Sequence, residues 1–326
     1  MWNVRMEGMK LAMRTYERED DFWAIRQFLR DVYLRNGRTE HSWQVARLDW
    51  WRWHGIMNLS QGNLETDVFL WETPGGQLAS VANCEGRGHV FLQVDPRFRT
   101  LALEEEMLDV AERSLGGIGT SSGRPFISIW AQDADLVRTE LLARRGHTRR
   151  AEWQQVERKR DLALPIPDMP VPAGYTIRAM KADDGNLASR SWASWRAFHP
   201  DEPDEKYEGW TWLRNAMHAP MYRRDLDIVA EAPSGEIAAF ATVWYDDVTR
   251  STYCEPVGTM PEHQRRGLAK AVIAEGMRRS KELGALFATV GGGGESNPSA
   301  EPLYARMFRK EGVSATGWLK YLDGKP

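Results

Sequence analysis

The chain has only two cysteines, Cys84 and Cys254, among its 326 residues. One pair cannot form a disulfide framework, and a cysteine-based zinc site needs more thiolates than this. A reducing, cytoplasmic setting is the expectation, and no metal is called for. No apolar run approaches the ~18 residues needed to cross a bilayer. The segment Met1 to Glu7 also lacks the apolar stretch of a signal peptide, so no membrane partner is expected. An excess of charge of one sign is missing too: 43 Lys and Arg face 46 Asp and Glu, for a net charge of −3. General nucleic-acid binders carry a strong basic excess, so nucleic acid is not expected as a partner. What remains is a globular composition, with 42% hydrophobic and 27% charged residues. The length suits two domains of roughly 100–200 residues each.

The clearest break in composition is Leu164 to Gly174, which holds Pro165, Pro167, Pro170 and Pro172. Neither a helix nor a central strand persists through such spacing. The segment reads as a semi-rigid linker, with domains at 1–163 and 175–326. The two halves repeat one pattern. Met13 to Asp20 parallels Ile177 to Asp184, each a short strand leading into an acidic helix start. Trp51-Arg52-Trp53 recurs as Trp210-Thr211-Trp212. Asp67–Glu72, a Pro74-Gly75-Gly76 turn and Leu78–Cys84 form a hairpin; Asp227–Glu231, Pro233-Ser234-Gly235 and Ile237–Tyr245 repeat it. Helices are expected over 100–115 and 267–283, each followed by a buried strand, 126–130 and 286–290. Each half then reads strand, helix, helix, three antiparallel strands, helix, strand, helix, strand. That is an α/β (mixed α+β) class, a mostly antiparallel mixed sheet with helices on both faces, present twice.

The chemistry concentrates after Cys254. Cys254-Glu255-Pro256-Val257-Gly258-Thr259-Met260-Pro261-Glu262-His263-Gln264-Arg265-Arg266-Gly267-Leu268-Ala269 reads as strand, loop and helix start. Gly267 has no Cβ to keep a ligand from the backbone. The free N–H groups of the helix start favour an anion, and Arg265 and Arg266 add positive charge. A pyrophosphate suits such a loop. It is neither a Walker loop, since no Gly-Lys-Ser/Thr follows, nor a Gly-x-Gly-x-x-Gly dinucleotide fingerprint. Cys254 reads as a small buried apolar residue.

Gln264-x-x-Gly267-x-Ala269 resembles the Gln/Arg-x-x-Gly-x-Gly/Ala signature of the GCN5-related N-acetyltransferases, the GNAT family. Asn297-x-x-Ala300-x-x-Leu303-Tyr304 resembles that family's second acetyl-CoA motif. The resemblance covers 174–326, and through the repeat it extends to 10–160 as fold alone. It implies that the backbone of Val257, Gly258 and Thr259 pairs with the pantetheine arm of acetyl-CoA, with CoA as product. The N–H groups of Gln264, Arg265, Arg266, Gly267, Leu268 and Ala269 would hold the pyrophosphate, and Asn297 would contact the cofactor. It casts Tyr304 as general acid toward the leaving thiolate. Glu255 is the candidate base for the acceptor amine, with Glu262 and His263 as less well-placed competitors. Each has a plainer reading: Tyr304 as core, Glu255 as a solvated strand-end charge, Asn297-Pro298 as a helix start. Two departures stand out. No glycine precedes Phe308 in Leu303-Tyr304-Ala305-Arg306-Met307-Phe308, and Gly291 to Gly294 form an unusual run after a strand.

The counterpart loop of the first half, Val94 to Leu103, has no glycine, and Glu104, Glu105 and Glu106 follow it. Those carboxylates would repel a phosphate, so this half is expected to bind no acetyl-CoA and to complete or stabilise the other. Acceptor choice falls to 183–223, where Trp192, Trp195, Trp210, Trp212 and Tyr207 surround the acidic run His199 to Lys206. That mixture suits a cationic amine; a solvated loop over core tryptophans is the plainer reading. The expected function is transfer of an acetyl group from acetyl-CoA to a primary amine of a small molecule, in a ternary complex. The alternatives are a non-catalytic acyl-CoA-binding sensor or scaffold, and transfer to a peptide amine. Monomer and homodimer are both open.

Overall fold

A computed structural model describes residues 10–39, 42–291, 299–308 and 313–324. Asn297 and Gly292 to Gly294 lie outside the described residues. No described helix is long and apolar enough to cross a membrane.

Contacts divide the chain into two compact units. The first opens with β1 (Ala12–Thr15), α1 (Glu19–Arg35) and α2 (Val45–Trp50). The α2 chain widens into a π-turn over Trp51–Ile56 before α3 (Met57–Leu59) and α4 (Leu64–Asp67). Then come β2 (Val68–Glu72), β3 (Leu78–Cys84), β4 (His89–Val94), α5 (Leu101–Ser114), β5 (Gly117–Ile118), β6 (Pro125–Gln132), α6 (Leu136–Arg144) and β7 (Thr148–Val156). The second unit holds β8 (Arg158–Asp161), β9 (Thr176–Ala179), α7 (Asp184–Phe198), α8 (Thr211–Ala216), β10 (Asp227–Glu231), β11 (Ile237–Asp246), β12 (Ser251–Thr259), α9 (Leu268–Glu282), β13 (Phe287–Val290) and α10 (Glu301–Met307). The final strand, β14 (Ser314–Tyr321), belongs to the first unit.

The sheet orders are β1-β2-β3-β4-β6-β14-β7, with β5 beside β6, and β9-β10-β11-β12-β13-β8. Each sheet is antiparallel except at one parallel pair, β4 with β6 and β12 with β13. Both parallel ladders are short, His89–Phe91 against Ser128–Trp130 and Ser251–Tyr253 against Phe287–Thr289. Apolar positions face both ways, so each sheet is covered twice. In the second unit, α9 and α10 close one core with Val272, Met277, Tyr304 and Met307, while Leu187, Leu213 and Phe240 pack under α7 and α8. In the first unit, α5 and α6 cover one face and α1 and α2 the other.

The repeat extends to side chains. Arg14 on β1 donates to Asp21 and Glu72; Arg178 on β9 donates to Asn186 and Glu231. The tryptophan pairs match less well, because Trp51 and Trp53 sit in the π-turn whereas Trp210 and Trp212 flank the start of α8.

The Pro-rich stretch lies inside the second unit, and the division falls after Val156 and before Val313. Strand pairing is the reason. β8 precedes the prolines yet adds to β13, with Val290 opposite Arg158. β14 ends the chain yet inserts between β6 and β7. Each sheet takes one strand from the other half of the sequence.

Candidate active site

The site is built on β12. Ala241 pairs with Val257 and Val243 with Cys254, so Glu255 and Pro256 together oppose Thr242 in a bulge. A bulge bends its strand and re-aims it. The Glu255–Pro256 peptide is cis, and the Trp244 indole donates to the Glu255 carbonyl at 2.5 Å. Past Tyr253, β12 no longer pairs with β13. Val257, Gly258 and Thr259 keep β11 on one side, opposite Ala241, Phe240 and Ala239. Among the described residues no ladder uses their other edge, which an extended chain could extend. Gly258 is required here: a Cβ would lie 2.4 Å from the Phe240 ring and 3.0 Å from the Ala197 methyl.

A 3₁₀ turn over Pro261–His263 then leads to Gln264. Arg265 has φ +60° and Gly267 has φ +83°, so the chain passes twice through the left-handed region before α9 begins. Gly267 is the residue preceding the helix, and no side chain caps it. The first-turn N–H groups are thus left for solvent or a ligand. Among the described residues, nothing other than its own chain neighbours lies within 4 Å of where a Gly267 Cβ would stand. Arg265 and Arg266 are exposed, Ala269 is half-buried and Leu268 anchors the turn in the core.

One polar cluster fixes this loop. Arg266 donates to the Tyr175 hydroxyl at 3.0 Å and to the Glu262 carbonyl at 3.3 Å. His263 bonds Tyr175 through Nδ1 at 2.8 Å and Glu236 through Nε2 at 3.3 Å. Gln264 donates to the Thr259 carbonyl at 3.4 Å. Tyr175 was not among the residues the sequence singled out. It follows the Pro-rich stretch, far from the loop in sequence, and no local signal marks it. Glu262 is engaged by Arg196 at 3.3 Å, so both competitors for the base position are tied into the loop's own network.

Tyr304 lies on α10, 8% exposed, within the core that includes Met307 and Phe308. Burial raises its hydroxyl above the ordinary range, and the charge of Glu255 raises it further. The phenol therefore stays protonated at neutral pH, and Glu255 is near enough to be felt. Glu255 is half-buried. Cys254 is in the core, where burial pushes its thiol up to about 12.

The counterpart helix start in the first unit is closed by its own residues. Thr100 caps α5 by accepting from Leu103 N–H at 3.1 Å. Glu104 is not the repelling surface charge read from sequence. It is fully buried, and Arg138 and Arg99 donate to it at 2.8 and 2.6 Å. Arg99 also reaches Asp135 at 2.6 Å. Glu106 accepts from the Trp71 indole.

On α7, Trp192 and Trp195 stack at 5.5 Å, with Tyr207 edge-on to Trp192 at 5.1 Å and His199 stacked on Trp195 at 5.7 Å. Trp192 and Trp195 are half-buried, whereas Asp201, Asp204 and Glu205 are exposed. The Trp212 indole is turned inward to Ser191 at 2.7 Å.

Residues 186–308 match the family described as "Acetyltransferase (GNAT) family". This segment is a GNAT domain. The GNAT match spans β12, the Gly267 loop and α10, and the fold around it has tandem counterparts. A tandem GNAT protein from the clavulanic acid biosynthesis pathway superposes with a TM-score of 0.66 at 14% identity, over 97% of this chain and 100% of that one. A GNAT protein from Sphaerobacter thermophilus gives 0.63 at 18% identity, over 99% and 97%. By sequence, the chain is 25% identical over 271 residues to a mycothiol acetyltransferase of Salinispora tropica, covering 78% of this chain and 81% of that protein. A mycothiol acetyltransferase of Salinispora arenicola is 29% identical over 185 residues, 55% of this chain and 58% of that one. At family level these matches support an acyltransferase.

Proposed function

We propose that the chain is an acetyl-CoA-dependent N-acetyltransferase with a single catalytic centre in its second unit. The carrying observation is the uncapped start of α9 at Gly267, beside the unpaired edge of Val257 to Thr259. A pyrophosphate fits the first, through N–H groups and the arginines, and an extended amide-bearing arm fits the second. Gln264 to Ala269 would hold the phosphates; Asn297 stays in the proposal on its motif alone. When bound, acetyl-CoA supplies a thioester already activated for transfer.

The chain's own residues then have two proton tasks. Glu255, at the bulge, would accept a proton from the ammonium form of the acceptor, directly or through water, freeing the nitrogen to attack the acetyl carbonyl. As the C–N bond forms and the C–S bond breaks, the Tyr304 hydroxyl would give its proton to the departing sulfur, and the second proton lost by the attacking nitrogen would restore the Tyr304 hydroxyl through solvent. Its raised pKa keeps that proton in place beforehand. The Trp192–Trp195 pair and the acidic loop above it suit an amine that arrives charged. Acceptance of a small molecule draws support from the relatives, both named mycothiol acetyltransferases. In the first unit, the Thr100 cap and the Arg99–Glu104–Arg138 cluster occupy what the second unit leaves open, which supports one cofactor site per chain.

Calorimetric titration of acetyl-CoA tests the reading. Wild type should bind one equivalent, and Gly267→Glu, which sets a carboxylate at the helix start, should bind none while melting cooperatively. Two equivalents would overturn the account of the first unit. With a small-amine acceptor, Glu255→Gln and Tyr304→Phe should each lower kcat by about 10²-fold or more, within the usual range for acid–base groups. Equal binding with no turnover in any form, wild type included, would instead mark a sensor.

A further inference from the structure

We propose that Arg158 and Arg160, two arginines on β8, are positioning residues that hold Tyr304 in place; this rests on the acid role proposed above. β8 precedes the Pro-rich stretch and belongs by sequence to the half without the cofactor loop. It pairs antiparallel with β13, Arg158 opposite Val290 and Arg160 opposite Ala288. Alternation puts these two arginines on one face, and Lys159 on the other, over the Phe287 ring at 4.1 Å. The arginine face meets α10. Arg158, its side chain 3% exposed, pairs with Glu301, the first residue of that helix. Arg160 donates at 3.3 Å to the carbonyl of Met307, the last residue, and also to the Pro165 carbonyl. One strand grips both ends of the helix, and Tyr304 lies midway between the grips.

The helix needs this support. It has seven residues, and the residue at its N-cap is Ala300, whose methyl group cannot accept a hydrogen bond. Isolated helices shorter than about 12 residues are marginal in water. Proton transfer to a leaving sulfur tolerates little misplacement, since a shift of about 1 Å can cost on the order of 10²-fold in rate. The clamp therefore acts on kcat through Tyr304, not on cofactor affinity, which depends on α9 and β12.

The test uses the full chain with Arg158→Gln, Arg160→Gln and Arg158→Lys, each alone and with Tyr304→Phe. Expected are a fall in kcat of about tenfold or more for each Gln variant, an acetyl-CoA Kd within about twofold of wild type, and partial rescue by Lys. Added to Tyr304→Phe, the Gln changes should lower kcat no further. Amide exchange over 302–308 should speed up in Arg158→Gln. A purely structural role predicts the same fractional loss with and without the Tyr304 hydroxyl, which would overturn the proposal. Unchanged exchange over α10 would overturn the clamp alone. Full kcat in Tyr304→Phe would instead sink the acid role, and the catalytic meaning of the clamp with it. Should Arg158→Gln fail to fold, Arg160→Gln carries the test, because Arg160 is only half-buried.

Discussion

Two glycines of the site are needed for opposite reasons. At Gly267 no described residue beyond its chain neighbours crowds the Cβ position, and the constraint is φ +83°. At Gly258 the backbone is ordinary and the constraint is space, with the Phe240 ring 2.4 Å from where a Cβ would go. Gly267→Ala should therefore leave the fold nearly intact, costing about 1–2 kcal/mol of left-handed strain. Gly258→Ala forces α7 and β12 apart and should cost about 1–3 kcal/mol. Chemical denaturation of both variants checks the order, which reverses if Gly258 can relax. The first glycine could be picked out by its place before a helix. The second could not, because its requirement comes from a ring 18 residues away. Cysteine chemistry is decided at this scale too. Burial pushes both thiols up to about 12. At pH 8 only about one thiol in 10⁴ is then ionised, and the thiolate is the reactive form. Native protein should resist iodoacetamide at pH 8, with both cysteines labelled only after unfolding. Rapid native labelling of Cys254 would show instead that its thiol is accessible and reactive in the folded protein.

Among the elements, hairpins, helices and buried strands were legible because their periodicity and turn residues are local. The α5 and α9 helices begin and end within a residue or two of the spans read from sequence. What stayed illegible is how the last strand of each pattern is used, since partner choice is a long-range matter of edges and side chains. β14 shows which side chains decide it. Asp133 accepts from Ser314 at 2.6 Å and from Thr316 at 2.7 Å, and Lys320 donates to Glu112 at 2.8 Å. His147 and Arg145 also reach Glu112, both at 3.0 Å. Burial by itself would raise the Glu112 carboxyl. The bonds from His147, Arg145 and Lys320 outweigh that and hold it well below the usual carboxylate range. The sign follows from the lowered pKa. Glu112 contributes stability above the unfolded carboxyl's pKa of about 4.3 and loses it as pH falls toward the folded value. Glu112→Gln should therefore destabilise at pH 7 by about 1–3 kcal/mol, in line with stranding buried donors. The gap to wild type should narrow as pH falls below about 4. A gap that does not change with pH would show that the carboxylate charge is not what holds β14.

For the whole molecule, the strand exchange means that neither half of the sequence holds every strand of its own sheet. A cut within 164–174 looks harmless in the sequence, because prolines and exposed residues mark linkers. It would separate residues 1–163 from 175–326. The first piece would lack β14 and leave β6 and β7 without the strand that lies between them. The second would lack β8 and expose the far edge of β13, together with the α10 contacts of Arg158 and Arg160. Buried strands stripped of a neighbour present unpaired N–H and C=O groups, a recognised route to aggregation. Each fragment expressed alone should therefore be insoluble or fail to unfold cooperatively. Co-expressed, the two should complement each other and co-purify, since every strand is present again and only residues 164–174, which form no strand, are missing. Extending the second fragment back to residue 157 restores β8 to its sheet and should improve its solubility over 175–326. A soluble, cooperatively folding 175–326 fragment that binds acetyl-CoA as the full chain does would mean that β8 is dispensable. In that case the half with the Gly267 loop would be self-sufficient, and the exchange would be a feature of the chain's ancestry, not of its stability.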